Sequence, residues 1–505
     1  MMAIGKKLSN WLTRDNYINL TWIFFGIIFY FVFLYQLSSM NLIDFDESRV
    51  AKSSYEMSQS GDLIVVKYGG NPDLWSTKPA LFHWVQATFI KIMGLSEMSV
   101  RLPSAICGIV LCVLIFRFCK RRLHNPLLGI LAMLVFVTAP ATVYFDHSFR
   151  TGDYDALMTL FTFVSAINLF LYIQENNNRN LYYFFVFLGL AILTKGVAAL
   201  FFAPGYFLYI LIRKKLLVVL KNKHFYFGAG GMLLIAGSYF LLRELNNPGY
   251  LKALNDMEIM GRYTNTGSFS IYEEADFWVN FFQLINVRFP VFYLLIPCGF
   301  FIGIFSKREV IKQFSLFSVT ICLCLYFVIS YSSSTNFWYD LPMYPFVAIM
   351  VALVLVVIHD LISDIIKEKT DFNPRAVFIS LCFILFCIPF AKTMQEVHAP
   401  FPTKGMYWSN FNVLQNYFEF GKVKNGYMLA IEKDKNPSQS QLFYIDKLYE
   451  DRGIKIPHRF DYDFKPGEML ITLTPGIQDY IATYYNCVMV ESYYEIKVFR
   501  IISKK

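Results

Sequence analysis

The feature that most constrains this chain is a series of apolar runs, each approaching the ~30 Å hydrocarbon thickness of a bilayer at about 1.5 Å per residue. They lie near 18–37, 99–118, 127–145, 156–173, 181–194, 197–212, 225–242, 289–305, 314–331, 341–358 and 376–391. Globular cores do not call for runs of that length, so the bilayer is the solvent for most of the protein. The count is about eleven helices, within a range of about 11–13. Thr194, Lys195 and Gly196 break the fifth and sixth runs, which form either two helices or one with a polar interruption. A chain that is 56% hydrophobic, 16% charged and +0.42 in mean hydropathy excludes a disordered protein, a coiled coil and an ordinary cytosolic enzyme.

The net charge of +9 comes from short basic clusters between apolar runs, not from one continuous stripe, and so argues against a nucleic-acid partner. Positively charged short loops stay cytoplasmic. Arg117 to Arg122, Arg213 to Lys223, Lys307 to Lys312 and Lys367 to Arg375 mark that side. The segments Asn41 to Glu97, Arg150 to Asp155, Arg243 to Asp276 and Tyr331 to Pro342 then face the opposite compartment. An odd helix count puts the C-terminal residues there too. Lys6, Lys7 and Arg14 precede the first run with no small-residue cleavage site after it, so the first helix is expected to remain as an anchor. Eight of the nine cysteines lie in or beside apolar runs, and no disulfide framework or zinc spacing is visible.

From about Met394 the pattern changes to alternating strand-like runs, Tyr427–Glu432, Met469–Leu473 and Val488–Ile501, around a helical run at Gln439–Tyr449. The expected organisation is a helical polytopic membrane domain over 1–393, with interfacial helices in its first external loop, followed by a small soluble α/β domain over 394–505. Pro400, Pro402 and Gly405 mark the linker.

The first external loop carries the chemistry. Asp44, Asp46, Glu47 and Arg49 directly follow an apolar helix, where charge needs a partner or a purpose. Helical spacing over Ser48 to Ser60 leaves Val50, Tyr55 and Met57 available to lie on the membrane surface. Asp46 and Glu47 could simply cap that helix. Lys78 opens a second amphipathic stretch running to Met93, and as an interfacial lysine it could merely snorkel. In the next external corner, SFRTGDYDALMTLF, Arg150, Asp153 and Asp155 sit at the mouth of a helix. Capping explains one of these two acids more readily than both. Lys195 and Arg150, near the membrane surface, would be costly unless they meet carboxylates or an anionic ligand. Asp46, Glu47, Asp153 and Asp155 could together offer oxygen ligands to a divalent cation, with no metal firmly required. Histidines are scattered, and only His83 and His147 fall near this cluster.

The order DESRVA, SGD, TKPALFHW, VRLPSA, RTGDYDALMTLF, LTKG and WYDLPMYP resembles the bacterial polyprenyl-phosphate-sugar glycosyltransferases of the protein O-mannosyltransferase (family 39) and lipid A aminoarabinose transferase (family 83) group. That group shares the fold called GT-C. The resemblance implies that Asp46 is the catalytic carboxylate, with Glu47 beside it, and that Asp155 is the second acid, with Asp153 an additional candidate. It further implies that Lys78 and Lys195 bind the lipid-linked phosphate, with Arg49 a weaker match, and that Tyr339 of WYDLPMYP contacts substrate. The stretch NDMEIMGRYTNTG resembles the family's long external loop; in it Glu258 and Arg262 are four apart, as an intrahelical pair or as substrate ligands. Where many relatives carry a lysine before the WY segment, this chain has Thr335 and Asn336.

Such chemistry suits the residues. A polyprenyl phosphate is already a good leaving group, so transfer needs cations for the departing charge and one carboxylate for the acceptor's proton. Attack opposite the phosphate would invert the anomeric centre. The expected function is therefore transfer of a single sugar from a polyprenyl-phosphate donor to lipid A, another glycolipid, a glycan or a protein, on the periplasmic face. The alternative is a transporter or flippase of a lipid-linked sugar. Against it, the ionisable residues gather at one surface, not at the midplane, and no paired broken helices suggest inverted repeats.

Overall fold

The computed structural model describes residues 14–143, 147–261, 285–331, 336, 338–369, 374–397, 413–419, 421–432 and 437–505. Among them, seven helices are long and apolar enough to cross a bilayer: Glu97–Arg121, Tyr154–Glu175, Asn178–Leu200, Lys223–Asn246, Glu309–Ser330, Leu341–Ile366 and Val377–Val397. Four shorter apolar helices, Leu20–Leu34, Pro126–Thr138, Ala203–Ile212 and Leu295–Ile304, account for the remaining apolar runs. The chain is a multi-pass helical membrane protein, as its apolar pattern implies.

Local chemistry sets where helices stop. Pro126 takes the first position of its helix, Asn125 caps it by accepting from Leu128 N at 3.0 Å, and Ala139 turns to extended backbone before Pro140. At the break in the LTKG stretch the chain makes two helices. The first ends at Lys195, Gly196 takes φ +63°, and a 3₁₀ turn over Gly196–Leu200 leads to Ala203–Ile212. Only glycine adopts that backbone without strain. Lys195 is thereby left at a helix end, facing a gap.

The loop between the first helix and Glu97–Arg121 holds Asp46–Ser60, a two-stranded ribbon of β1 (Lys67–Tyr68) and β2 (Asn71–Pro72), and Leu81–Met93. Asp46–Ser60 is enclosed by protein. Val50 and Met57 enter the main core, whereas Ala51 and Tyr55 join a second core with Leu42, Ile90, Leu414, Tyr417, Phe443 and Tyr444. Protein therefore covers the residues that the spacing left for the membrane surface: the main core takes Val50 and Met57, and the C-terminal segment takes Tyr55.

That segment contains β3 (Tyr427–Ala430), β4 (His458–Arg459), β5 (Met469–Thr472), β6 (Tyr485–Tyr493) and β7 (Ile496–Lys504), in the order β4-β3-β5-β7-β6. β3 runs parallel to β4 and β5, while β7 is antiparallel to both β5 and β6. The helix Gln439–Arg452 forms the crossover from β3 to β4, opened by a Ser438–Gln441 capping box and closed by Gly453 at φ +67°. The single strand-like run Val488–Ile501 folds into two strands, with the chain reversing at Tyr494 and Glu495.

Candidate active site

Asp46 and Glu47 open one helix and face different surroundings. Glu47 is 1% exposed, and its two oxygens accept from Arg101 Nε at 2.7 Å and Nη2 at 2.9 Å, from Ile43 N at 2.7 Å and from Gly152 N at 2.8 Å. Arg101 also donates to the carbonyls of Leu37, Met40 and Asn41. This clamp ties the end of the first helix, the loop helix and the Gly152 corner together. A Cβ on Gly152 would lie 2.4 Å from Val100 Cγ1, so the backbone can approach the clamp only as glycine.

Asp46 turns the other way, with its side chain 38% exposed and its Oδ2 3.2 Å from His147 Nε2. The opposite ring nitrogen, His147 Nδ1, lies 2.8 Å from Asp155 Oδ2 and 3.9 Å from Asp153 Oδ1. Lys195 Nζ donates to Asp155 Oδ1 at 2.5 Å. The result is a continuous line of alternating charge: Asp46, His147, Asp155, Lys195. His147 is held at φ +60° and stacks on Trp338, ring centres 4.1 Å apart and 7° from parallel. Phe45, just before Asp46, has φ +77°, a strained conformation for an aromatic residue. Such strain persists only where the surroundings enforce it.

Electrostatics fix the protonation of the line. Burial alone would lower the imidazole pKa of His147, but Asp153, Asp155 and Asp46 outweigh it and hold the ring well above its ordinary value, as an imidazolium donating from both nitrogens. Burial pushes the carboxyl of Asp46 up; the hydrogen bond and charge of His147, then the charges of Lys78 and Lys195, pull it further down, leaving it below the usual carboxylate range. Asp153 is pushed up to about 7 by burial, against the pull of His147.

Lys78 and Lys195 line one crevice with Asp155, Glu258, Tyr339 and an apolar wall that includes Phe201, Phe202 and Leu325. Lys195 Nζ lies 5.2 Å from the centre of the Tyr339 ring. Lys78 pairs with Glu258, whose Oε1 also accepts from Thr77 Oγ1 at 3.1 Å. Asp46 is not part of the lining. It stands behind the crevice, joined to it through His147 and Asp155.

Other candidates are placed elsewhere. Arg49 pairs with Asp73 at 2.8 Å, between the rings of Tyr68 and Trp75. Arg150 donates to the carbonyls of Val32, Tyr35 and Gln36, satisfying the end of the first helix. Arg262 lies outside the described residues. Among the described residues no group of three His, Cys, Asp or Glu side chains is placed to hold a metal ion. Sequence reasoning put His147 near the cluster but gave it no role; its position eight residues before Asp155 was the available signal.

A helical membrane bundle whose first long loop and following corner bring acids and lysines together beneath a small α/β unit has the GT-C architecture, and part of the chain is similar in sequence to protein mannosyltransferase and aminoarabinose transferase proteins. Residues 77–241 match the family described as dolichyl-phosphate-mannose-protein mannosyltransferase. Over 199 residues the chain is 27% identical to the undecaprenyl phosphate-alpha-4-amino-4-deoxy-L-arabinose arabinosyl transferase of Edwardsiella ictaluri, covering 39% of this chain and 33% of that one. Over 203 residues it is 26% identical to an uncharacterised protein of Aquifex aeolicus, covering 40% and 39%. The matched segment thus spans well under half of either relative. The structure is similar to that of ArnT from Cupriavidus metallidurans bound to undecaprenyl phosphate, with a TM-score of 0.69 at 15% identity over 96% of this chain and 98% of that one. It is also similar to the archaeal oligosaccharyltransferase AglB from Archaeoglobus fulgidus in complex with an inhibitory peptide and a dolichol-phosphate, with a TM-score of 0.54 at 10% identity over 97% and 74%. At these identities the structural likeness defines the fold.

Proposed function

We propose that this protein is a membrane glycosyltransferase that moves one sugar from a polyprenyl-phosphate donor to a hydroxyl or amine of a lipid A, glycolipid, glycan or protein acceptor, on the periplasmic face of a bacterial inner membrane. The observation that carries the reading is the charge line itself: an anionic Asp46, partly open to solvent, beside a crevice that holds two lysines. In this reading Asp46 is the base. The acceptor's oxygen or nitrogen attacks the anomeric carbon, its proton passes to Asp46, and the bond from the anomeric carbon to the phosphate oxygen breaks with its electron pair on that oxygen. Lys78 and Lys195 hold the departing charge, which is worth most where the site excludes water. Attack from the face opposite the phosphate inverts the anomeric centre.

His147 keeps Asp46 ionised and oriented, and Asp155 holds both His147 and Lys195 in place. Tyr339, beneath Lys195, contributes to the substrate wall. Arg49, Glu47 and Arg150 act on the frame of the loop, through the contacts already described. The same reading divides the chain at about residue 394 into a transferase domain and an external α/β domain. ArnT bound to undecaprenyl phosphate and AglB with dolichol-phosphate support a polyprenyl-phosphate donor.

The test is transfer by the purified full-length chain, in detergent, from polyprenyl-phosphate pentose and hexose donors to envelope lipids and proteins, read by mass spectrometry. Formation of a new glycosidic bond is expected, with Asp46→Asn lowering the rate by about 10²–10⁴-fold while the protein stays folded. Near-normal turnover in that variant would refute Asp46 as base. Donor movement across vesicles with no new bond in any acceptor would favour transport instead.

A further inference from the structure

Both lysines assigned to the donor phosphate already carry a carboxylate. Lys78 pairs with Glu258, and Lys195 with Asp155. All four side chains line the same crevice, so among the described residues its two positive and two negative charges balance. A phosphodiester leaving water for a neutral and largely apolar crevice would lose its hydration without gaining a net cation. One carboxylate has to give way.

The two are not equivalent. Asp155 is 0% exposed, lies in the first turn of the long helix Tyr154–Glu175, and is gripped by both Lys195 and His147. Releasing it would dismantle the charge line that holds Asp46. Glu258 lies on the short π turn Asn255–Met260, outside the long spans, and its partner Lys78 is the more open of the two lysines, with a side chain 23% exposed against 6% for Lys195.

Resting on the reading of the crevice as the donor site, we infer that Glu258 is its exchangeable counter-ion. Glu258 holds Lys78 while the crevice is empty and yields it to the donor phosphate. After transfer it competes for Lys78 again and helps expel the product. The return matters because the donor diester carries one negative charge, whereas the polyprenyl monophosphate left behind carries about −1.5 to −2 at neutral pH. Without a competing carboxylate, two lysines would hold the product more tightly than the substrate.

The signature is therefore opposite to that of losing a ligand. Glu258→Gln, measured in the full-length protein in detergent, is expected to tighten polyprenyl monophosphate about tenfold, a gain in line with removing one negative charge from a partly buried cation. It should lower KM for the donor and also lower kcat, as product release slows. In a Lys78→Gln background the tightening should vanish. Thr77→Val, which removes only the hydroxyl that anchors Glu258, should shift affinity in the same direction by a smaller factor and serves if Glu258→Gln does not fold. Unchanged or weaker monophosphate binding in folded Glu258→Gln or Thr77→Val overturns the counter-ion role while leaving the donor site standing. Wild-type binding in Lys78→Gln, by contrast, overturns the assignment of the crevice to donor phosphate.

Discussion

Two buried ion clusters grow from adjacent residues of one helix, and their differences separate framework from chemistry. At Glu47 both carboxylate oxygens are occupied by fixed donors, and Arg101 in turn is saturated by carbonyls. Nothing there is left to meet a ligand. At Asp46 the acids outnumber their shared cations, one carboxylate is partly open, and the backbone is strained at both Phe45 and His147. The first cluster is closed and satisfied; the second is under-compensated and opens toward a cavity. Exposure and spare hydrogen-bonding capacity, not charge, distinguish them.

Substitution at the two acids should break in different assays. Glu47→Gln removes the charge facing a buried guanidinium, and losing one partner of such a pair costs about 3–5 kcal/mol. It should lower thermal unfolding in detergent sharply, with transfer falling in proportion to folded protein. Asp46→Asn should lower unfolding far less than Glu47→Gln does, since the Asp46 side chain is partly open to solvent, while cutting transfer by about 10²–10⁴-fold. A stable but inactive Glu47→Gln, or an unfolded Asp46→Asn, would exchange the two assignments.

A subtler change probes the coupling inside the open cluster. As the proposed base, Asp46 must be deprotonated to act, so the transfer rate is expected to fall as pH drops through its pKa, which lies below the usual range because His147 and the two lysines outweigh burial. Replacing His147 by Gln should move that acidic limb to higher pH, and it should lower the maximal rate less than Asp46→Asn does. The stability signs follow from the same shifts. Asp46, depressed on folding, contributes stability above its unfolded value of about 3.9, lost as pH falls through the folded value. His147, raised on folding, contributes fully below about 6.5 and loses its contribution as pH rises through the folded value. Asp153, raised to about 7, works in the same direction as His147. Melting temperature and pH–rate profiles of wild type and His147→Gln check both; an unmoved acidic limb would disconnect His147 from Asp46.

The apolar runs were legible because a bilayer allows few ways to satisfy a backbone, and each run became a helix. Lys78, which could as well have snorkelled, was singled out only by the resemblance, whereas Lys195 was singled out because charge at that depth demands a partner. Glu47 and Arg150 met the same criterion and could not be told apart from ligands, since what satisfies them lies far along the chain: Arg101 is 54 positions from Glu47, and Val32 is 118 from Arg150. His147 stood eight residues from Asp155, but the contacts that join it to Asp46 and Trp338 come from distant segments and could not be read from the sequence. The enclosure of Asp46–Ser60 was missed because its covering partner, Gln439–Arg452, shows no motif in sequence.

That covering helix supplies the weakest break in the comparison. Farther along the helix that Asp46 opens, Lys52 pairs with Asp446 and with Glu56, the latter at 3.0 Å, while Tyr55 donates to Glu450 at 2.5 Å and Ser440 N donates to Asp44 at 2.8 Å. Lys52 and Asp446 have side chains 11% and 23% exposed, against 5% and 0% for Arg101 and Glu47. Water can therefore take over much of what Asp446 provides, and Glu56 remains to partner Lys52. Asp446→Asn should cost only about 0.5–1 kcal/mol in unfolding. Transfer should fall no more than a few-fold, because the core shared by Tyr55, Phe443 and Tyr444 still seats the helix. If this variant instead destabilises the protein as strongly as Glu47→Gln, burial is not what ranks the ion pairs of this loop, and the C-terminal segment holds the base through charge, not packing.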